Sequence, residues 1–181
     1  MRCFISIELP EDIKNELGKI QAEISKISDV KMRMVEEDNL HLTLKFLGEI
    51  TDFQINQIKE ILKELNFKKF NASLNSVGIF PSPSFIRVIW IGLEPSFMIK
   101  EMHARIDEEI AKLKLKRDYQ FESHITLARV KFVKDKEKLV GRLKDIKVPA
   151  LSFDVDSISL KKSTLARQGP IYEDIVKVGL L

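Results

Sequence analysis

The sequence repeats itself once, with a nearly constant offset between the two copies, and this repeat limits the folds open to the chain. His41 and His124 are separated along the chain by the same distance as Asp52 and Asp135. Each half also shows the same predicted order of strand, helix, strand, helix and strand. Two copies are too few for a solenoid, which needs at least about three repeats. We therefore expect two similar lobes, related by a pseudo-twofold axis, with a cleft between them.

The hydrophobic pattern predicts an α+β fold, with largely antiparallel sheets around the cleft and helices on the outside. Ile13, Leu17 and Ile20 have the spacing of a helix with one buried face. Signals for the starts of helices occur at Pro10, at Thr51 with Gln54 as a capping box, at Ser96 and at Asp135. The expected strands are Cys3–Leu9, His41–Leu47, Phe70–Phe80, Phe85–Leu93, His124–Val130, Ser152–Lys161 and Tyr172–Leu180.

The expected organisation is a single bilobal domain over residues 1–181. Its pseudo-repeats cover about 2–80 and 85–163, and a C-terminal strand follows at about 172–180. Cys3 is the single cysteine, so no disulfide can form within the chain, and a cytoplasmic location is favoured. The chain contains neither a signal peptide nor an apolar stretch of about 18 residues, so we expect no membrane association. No obligate protein partner is indicated.

Two strands of the predicted fold begin with the same pattern, His-x-Thr. Residues i and i+2 of a strand point to the same face, so His41 and Thr43 share one face, as do His124 and Thr126. Leucine or isoleucine fills the alternate positions and is expected to pack underneath. The chain has only three histidines and four threonines, which makes two such pairs at matching positions improbable by chance.

Two imidazoles facing each other suit an in-line displacement at phosphorus. Such a reaction needs a base where the nucleophile enters and an acid where the leaving group departs. An imidazole of ordinary pKa, about 6.5, can perform either task near neutral pH. The two threonine hydroxyls can donate to the non-bridging oxygens, where negative charge grows. This arrangement requires no cofactor and no metal, and two histidines without nearby carboxylates are too few for a metal site. The alternative is a pair of half-buried strand histidines with a structural role.

Four segments of the chain resemble the two-histidine phosphoesterase superfamily. They are His-Leu-Thr-Leu-Lys-Phe-Leu-Gly at 41–48, Arg-Val-Ile-Trp at 87–90, His-Ile-Thr-Leu-Ala-Arg-Val at 124–130, and Lys-Lys-Ser-Thr-Leu with Gly-Pro-Ile-Tyr at 161–172. Within the superfamily, the chain looks like the RNA 2',3'-cyclic phosphodiesterases of archaea and bacteria, also called 2'-5' RNA ligases. The resemblance extends over nearly the whole chain.

The resemblance implies a reaction and a role for each histidine. The family opens a 2',3'-cyclic phosphate at an RNA 3' end and leaves a 2'-phosphate. By motif order His41 is the proton donor to the departing 3'-oxygen, and His124 is the proton acceptor from water. With a 5'-hydroxyl RNA in place of water, the reverse reaction makes a 2'-5' linkage. The implied partners are RNA 3' ends with a cyclic phosphate, or small cyclic nucleotides.

Three basic residues are weaker candidates for contacts with the substrate. By alternation from His41, Lys45 is expected on the cleft face, where it can hold a phosphate or be solvated. Ala128 occupies the matching place in the second strand. Arg129 is expected on the opposite face unless the strand bulges. Arg87 begins an apolar strand, which suggests a partner or a phosphate.

The remaining candidates have a functional and a structural interpretation, and the structural one is favoured. Phe80 and Phe85 can stack a terminal base or pack at a hinge. Lys161, Lys162 and Arg167 can guide an RNA backbone or form an exposed basic loop. His103 has no threonine companion and is expected to be a surface or packing residue.

Two other functions remain open from the sequence. One is a module that binds RNA ends and for which hydrolysis is incidental. The other is a ligase proper that acts on tRNA halves. A nucleotide-dependent ligase needs a triphosphate site, and the phosphate-binding loop Gly-x-x-x-x-Gly-Lys-Ser/Thr is not present in the chain.

Overall fold

A computed structural model describes residues 1–167 and 169–181. In this range the chain forms four α-helices, a short 3-10 turn and nine strands. In chain order the helices and strands are β1 Arg2–Glu8, α1 Glu11–Ser25, β2 Val30–Met34, β3 His41–Glu49, α2 Asp52–Glu64, β4 Phe70–Ser82, β5 Phe85–Glu94, α3 Ser96–Ala111, β6 His124–Val133, α4 Lys136–Lys144, β7 Ser152–Val155, β8 Ser157–Ala166 and β9 Gly169–Gly179.

The strands of both halves join one antiparallel sheet. Their spatial order is β7-β4-β5-β6-β3-β1-β8-β9, and β2 lies beside β6. Each described strand pair is antiparallel. The predicted α+β class is therefore confirmed. Among the described residues, no helix is both long and apolar enough to cross a lipid bilayer.

The two halves of the sheet meet at strands β3 and β6. One residue pair, Leu42 with Ile125, joins these strands in the described ladder. Beyond this pair, β6 is flanked by β2, whose residues pair with 128–133. The two His-x-Thr segments therefore lie side by side where the halves join.

Isoleucine and leucine side chains of the helices pack against one face of the sheet. On α1 the buried residues include Ile13, Leu17 and Ile24, and on α2 they include Ile58 and Leu62. These residues and the buried strand residues, Leu42 and Ile125 among them, form one hydrophobic core. This packing leaves the opposite face of β3 and β6 open, and that face carries the histidines and threonines.

Most predicted helix starts are confirmed. The backbone N–H of Gln54 donates to Thr51 Oγ1 at 3.2 Å, and the Gln54 side chain accepts from the Thr51 N–H at 3.0 Å. Asp135 Oδ1 accepts from the Lys138 N–H at 2.9 Å. Ser96 as a cap is wrong, because Pro95 occupies the N-cap position and Ser96 is the first helical residue.

The structure also differs from the prediction in its strands. Strand β2 was not predicted, although its five residues, Val30–Met34, alternate between apolar and basic side chains. One strand was expected over Ser152–Lys161, but β7 pairs with β4 while β8 pairs with β1 and β9. The two strands diverge at Asp156, and this branching has no local sequence signal.

Both central strands contain a β-bulge at the same place in the repeat. In β3 the register with β1 skips Leu44, since Ser6 pairs with Thr43 and Ile5 with Lys45. In β6 the register with β5 skips Leu127, between Thr126 and Ala128. A bulge adds one residue and reverses the alternation of the residues that follow. Leu44 and Leu127 are separated by the same offset as the two histidines, so the bulges belong to the repeat.

Candidate active site

The two histidines are held by the same backbone hydrogen bond. His41 Nδ1 lies 2.7 Å from the carbonyl oxygen of Asn39, and His124 Nδ1 lies 2.7 Å from the carbonyl oxygen of Glu122. A carbonyl oxygen can only accept, so Nδ1 carries the hydrogen in both rings. Nε2 of each ring is then the atom that can gain or lose a proton. Asn39 and Glu122 each precede their histidine by two positions, so the hydrogen bond repeats with the motif.

A cavity of about 480 Å³ is lined by His41, Thr43, His124 and Thr126 together. Its volume is typical of a small-ligand site. His41 Nε2 lies 2.9 Å from Thr43 Oγ1, so the imidazole and the hydroxyl of the first motif contact each other. The four residues singled out from the repeated motifs thus surround one space large enough for a nucleotide phosphate.

Different aromatic rings surround the two histidines. Phe4 stacks on His41 with a centroid distance of 4.9 Å, and Tyr172 meets the same ring edge-on at 5.3 Å. Phe80 meets His124 edge-on at 4.9 Å and stacks in turn on Trp90. The two imidazoles share their backbone geometry, but their environments are not symmetric.

Burial lowers the pKa of both histidines below the ordinary value. For His41, the hydrogen bond to Asn39 and the negative charge of Glu8 oppose this effect, and the positive charge of Lys161 adds to it. For His124, the hydrogen bond to Glu122 and the charge of its carboxylate oppose the effect of burial. Both pKa values are lowered because a charged imidazole loses hydration in the cleft. An anionic phosphate bound between the rings would favour the protonated form.

The bulge in β6 brings Arg129 into the cavity. Strict alternation placed Arg129 on the face of the sheet away from the cleft, unless the strand bulged. Because the bulge shifts the register, the Arg129 side chain lies on the cavity face instead. Arg2 also lines the cavity. Burial raises the pKa of Tyr172, and the positive charges of Arg129, Arg2 and Lys161 oppose this increase. This side of the cavity therefore carries positive charge suited to a phosphate or a phosphodiester.

The bulge in β3 has the opposite consequence for Lys45. The prediction that Lys45 lies on the cleft face is wrong, since its side chain is buried, with the residue only 3% exposed. Its ammonium group donates to the Asp107 carboxylate and, at 2.7 Å, to the carbonyl oxygen of Lys116. Asp107 also accepts from Arg117 Nε at 2.9 Å. Burial raises the pKa of Asp107, but the hydrogen bonds from Lys45 and Arg117 outweigh it and hold the pKa below its usual value.

Arg87 and Phe85 lie outside the cavity in the described part of the chain. The Arg87 guanidinium stacks over the Phe85 ring at 4.4 Å, and both residues are exposed. Arg87 also donates to the carbonyl oxygen of Lys131 at 3.4 Å. The partners of Arg87 are thus an aromatic ring and a backbone carbonyl, where the sequence suggested a partner or a phosphate.

The other candidates separate into residues in and away from the cavity. Phe80 lines it beside His124. Lys161 is paired with Glu8 and Asp174 at 3.2 and 3.0 Å, and Lys162 is paired with Glu173 at 2.9 Å. Arg167 is exposed at the end of β8.

His103 was expected to be a surface or a packing residue, and the structure shows that it is a packing residue. It is only 5% exposed and stacks on Phe121 at a centroid distance of 4.1 Å. Its Nδ1 lies 2.7 Å from the carbonyl oxygen of Leu44, the bulged residue of β3. His103 therefore supports the bulged strand from behind the cavity.

Several residues that line the cavity or hold its histidines were not predicted from the sequence. Phe46 in β3 and Arg129 in β6 occupy equivalent positions of the repeat, directly after the bulge. The constant offset between the repeats could therefore have identified Phe46 from the sequence. Tyr172 lies on β9, outside both pseudo-repeats, so no repeat signal points to it. Asn39 and Glu122 act through main-chain carbonyl groups, which a side-chain pattern cannot identify. Among the described residues, no cluster of three or more His, Cys, Asp or Glu side chains could hold a metal ion.

Known proteins share the sequence pattern and the fold of this chain. The chain is 40% identical over 177 residues to an RNA 2',3'-cyclic phosphodiesterase of Methanocaldococcus jannaschii, covering 97% of this chain and 98% of the relative. It is 35% identical to the Archaeoglobus fulgidus protein of the same name, with the same coverage. A crystal structure from Thermus thermophilus matches with a TM-score of 0.81 at 26% identity, covering 99% of this chain and 98% of the other.

The fold is also that of Escherichia coli LigT. The crystal structure of that protein in complex with 3'-AMP superposes with a TM-score of 0.79 at 23% identity, covering 99% of this chain and 97% of the other. The LigT-like phosphoesterase family matches the chain twice, over residues 7–90 and 91–172. These two matches correspond to the two copies of the repeat. The chain therefore belongs to the LigT-like phosphoesterase family.

Proposed function

We propose that this protein is an enzyme that hydrolyses RNA 2',3'-cyclic phosphate ends to 2'-phosphates, with His41 as general acid and His124 as general base. The observation that carries the proposal is the pair of Nδ1–carbonyl hydrogen bonds, which make Nε2 of both rings the titrating atom at one cavity. The name RNA 2',3'-cyclic phosphodiesterase, shared by relatives that match almost the full length of the chain, supports this substrate.

Each proton transfer in the proposed reaction has an assigned atom. His124 Nε2 takes a proton from water as the water oxygen attacks phosphorus. The bond between phosphorus and the ribose 3'-oxygen breaks, and His41 Nε2 donates a proton to that oxygen. The product carries its phosphate on the 2'-oxygen.

The charge that develops on the phosphate has candidate partners on both strands. We assign the hydroxyl groups of Thr43 and Thr126 to the non-bridging oxygens, together with the Arg129 guanidinium. The bound anion also raises the pKa of His41, so that the protonated acid is available at neutral pH. Lys45 takes no part, because Asp107 neutralises it inside the fold.

The same site supports 2'-5' ligation, in which a different nucleophile attacks the cyclic phosphate. A 5'-hydroxyl RNA in place of water would give its proton to His124 and form a 2'-5' phosphodiester. The partners we propose are therefore RNA 3' ends with a cyclic phosphate, or small cyclic nucleotides. A cytoplasmic location is our expectation from the single buried cysteine.

The test is turnover of adenosine 2',3'-cyclic phosphate in the presence of a chelator, with the product identified by phosphorus NMR. We expect adenosine 2'-phosphate, and a loss of about 10²–10⁴-fold in kcat for His41→Ala and for His124→Ala. Thr164→Ala, on the exposed β8–β9 hairpin, is the control and should retain activity. Full activity in either histidine variant would refute the assignment, and a 3'-phosphate product would reverse the orientation of the ribose.

The same variants separate this function from an RNA-end binding module. A binding module would retain salt-dependent affinity for RNA termini without turnover, even in the intact protein. Turnover that depends on both histidines would exclude RNA-end binding as the main function of the protein.

A further inference from the structure

Two arginines lie opposite each other at the edge of the catalytic cavity. Arg33 on β2 pairs directly with Arg129 on β6, and both residues are exposed. Residues paired in this way in an antiparallel sheet have Cα atoms about 4.5–5.5 Å apart and side chains on the same face. Like charges at such positions destabilise a sheet. A bound polyanion would relieve this repulsion.

The side chain of Arg33 extends from β2 to the tip of the β8–β9 hairpin. Its Nη2 atom lies 2.9 Å from the position that a Cβ atom on Gly169 would occupy, so the guanidinium fills space left open by this glycine. Pro170, the next residue, lines the catalytic cavity, as Arg129 does. Arg33 therefore lies at the rim of the cavity, between Arg129 and the hairpin tip.

The proposed function, on which this inference rests, places the terminal ribose near the same tip. The 3'-oxygen leaves toward His41, so the ribose that carries it lies on the His41 side of phosphorus. Asn39 accepts from His41 Nδ1 through its carbonyl oxygen, and its side chain donates to the carbonyl oxygen of Pro170 at 3.1 Å. An RNA chain continues from this ribose through the 5'-oxygen, and we expect it to leave the cavity past the hairpin tip.

Two surfaces adjoin the hairpin tip, and they differ in charge. One is a groove of about 450 Å³ that shares three residues with the cavity. Glu36 and Asp38 place two carboxylates along this groove, against one guanidinium from Arg167. The other surface crosses β2 and β6 at Arg33 and Arg129. Because a phosphodiester is an anion, the electrostatic potential favours the path over the two arginines.

We propose that Arg33 binds the phosphodiester one nucleotide to the 5' side of the cyclic phosphate. The Arg129 guanidinium stays with the reacting phosphate, and Arg33 beside it holds the next phosphate of the strand through charge-assisted hydrogen bonds. Contacts with phosphates position a strand without reading its sequence. The ligand of Arg33 is thus an RNA end of any sequence, and a cyclic mononucleotide lacks the group that Arg33 binds.

The experiment compares adenosine 2',3'-cyclic phosphate with adenylyl-3',5'-adenosine that ends in the same cyclic phosphate. Arg33→Ala should lower kcat/KM for the dinucleotide by about 10-fold, the lower end of the range for a hydrogen bond to a charged group, because the site is exposed. Hydrolysis of the mononucleotide should be little changed. Arg33→Lys, which keeps the charge, should recover part of the loss.

A change in the substrate tests the same contact from the other side. A methylphosphonate at the internal linkage of the dinucleotide removes the negative charge that Arg33 is proposed to bind. The wild-type enzyme should lose a similar factor on this substrate, and Arg33→Ala should add little to that loss, because the two changes remove one interaction. Additive losses would show that Arg33 acts elsewhere and would overturn the inference.

Salt dependence gives a readout that a purely structural role would not change. Counterion release makes the logarithm of kcat/KM for the dinucleotide fall with the logarithm of salt concentration. Arg33→Ala removes one phosphate contact and should reduce this slope by about 0.7, the value for a single strand. An unchanged slope would contradict a phosphate contact at Arg33.

Lys31→Ala is the matched control, since it removes another exposed positive charge from the same face of β2, and it should change neither reaction. An equal loss on both substrates for Arg33→Ala, or a loss on neither, would overturn the inference. A loss on the dinucleotide in Arg167→Ala but not in Arg33→Ala would place the strand in the acidic groove and would also overturn it. Failure of the wild-type enzyme on both substrates would overturn the proposed function instead.

Discussion

Leu42 and Ile125, the middle residues of the two His-x-Thr motifs, face each other across the junction of β3 and β6. Both side chains are fully buried, so the residues on either side of each point to the open face. This one pair of residues places His41 and Thr43 next to His124 and Thr126. The pseudo-twofold axis therefore passes close to the middle of the two motifs.

The pH dependence of kcat/KM should be shifted toward acid pH in the free enzyme. In the proposed mechanism His124 acts as a neutral base, so activity should fall when the pH drops through its pKa. In the same proposal His41 acts as a protonated acid, so activity should fall when the pH rises through its pKa. Burial lowers both pKa values, and both limbs of the profile should therefore lie below the positions expected for exposed histidines. Initial rates across the pH range, at low substrate concentration, measure this.

Glu8→Gln should move one limb of that profile. The Glu8 carboxylate raises the pKa of His41, so its removal should shift the alkaline limb to lower pH and leave the acid limb in place. Glu137→Gln, an exposed substitution on α4, is the control. A shift of the acid limb would contradict the assignment of His41 as the acid.

Arg129→Ala should lower kcat/KM by about 10–100-fold, because hydrogen bonds to a charged group contribute about 1.5–3 kcal/mol. Arg129→Lys should recover part of the loss, since the positive charge remains but the paired donors of the guanidinium do not. The matched control is Arg87→Ala, since Arg87 stacks on Phe85 outside the cavity. Steady-state kinetics on adenosine 2',3'-cyclic phosphate compares the three variants, and equal losses for Arg129→Ala and Arg87→Ala would contradict the role given to Arg129.

Lys45→Met should destabilise the protein by about 3–5 kcal/mol, because a buried carboxylate loses a partner. The lower end of the range is expected, since Arg117 still donates to Asp107. Urea unfolding measures the change in the free energy of unfolding. Lys69→Met, at an exposed position, should have little effect. If Lys45→Met instead left stability intact and weakened substrate binding alone, Lys45 would have to face the cleft.

Two glycine substitutions should have effects of opposite sign. A Cβ added at Gly78 would lie 2.2 Å from the indole of Trp90, so Gly78→Ala should cost about 1–3 kcal/mol of stability. Trp90 stacks on Phe80, which contacts His124, so turnover should fall as well. Gly141 lies within α4 with no atom within 4 Å of an added Cβ, so Gly141→Ala should stabilise the protein by about 0.5–1 kcal/mol.

Thermal unfolding and tryptophan fluorescence measure both glycine variants. Trp90 is the single tryptophan of the chain, so the emission reports on its surroundings alone. An unchanged spectrum and stability in Gly78→Ala would contradict the close packing of the indole against β4.

The sequence predicted those features that depend on neighbours along the chain. The capping box of Thr51 and Gln54 and the cap at Asp135 form within single turns of helix, so residue types alone reveal them. The His-x-Thr faces follow from the alternation of a strand over three residues. The cap at Ser96 was wrong because Pro95, directly before it, occupies the N-cap position.

The bulges at Leu44 and Leu127 could not be predicted, because they arise from how β3 and β6 pair with other strands. They reverse the alternation, which buries Lys45 beside Asp107 and turns Arg129 into the cavity. Tyr172 reaches His41 from β9, the last strand of the chain, and no local pattern indicates a contact between positions so distant in sequence.

By itself, the sequence determined the repeat, the two histidines and the two threonines, because periodicity and short-range spacing are properties of the chain. Only the tertiary structure decided which charges line the cavity and which are neutralised in the interior. The physical reason is that a side chain's direction after a bulge, and its burial, depend on strands and helices distant in sequence. The opposite positions of Lys45 and Arg129, after the same bulge in each strand, show this most directly.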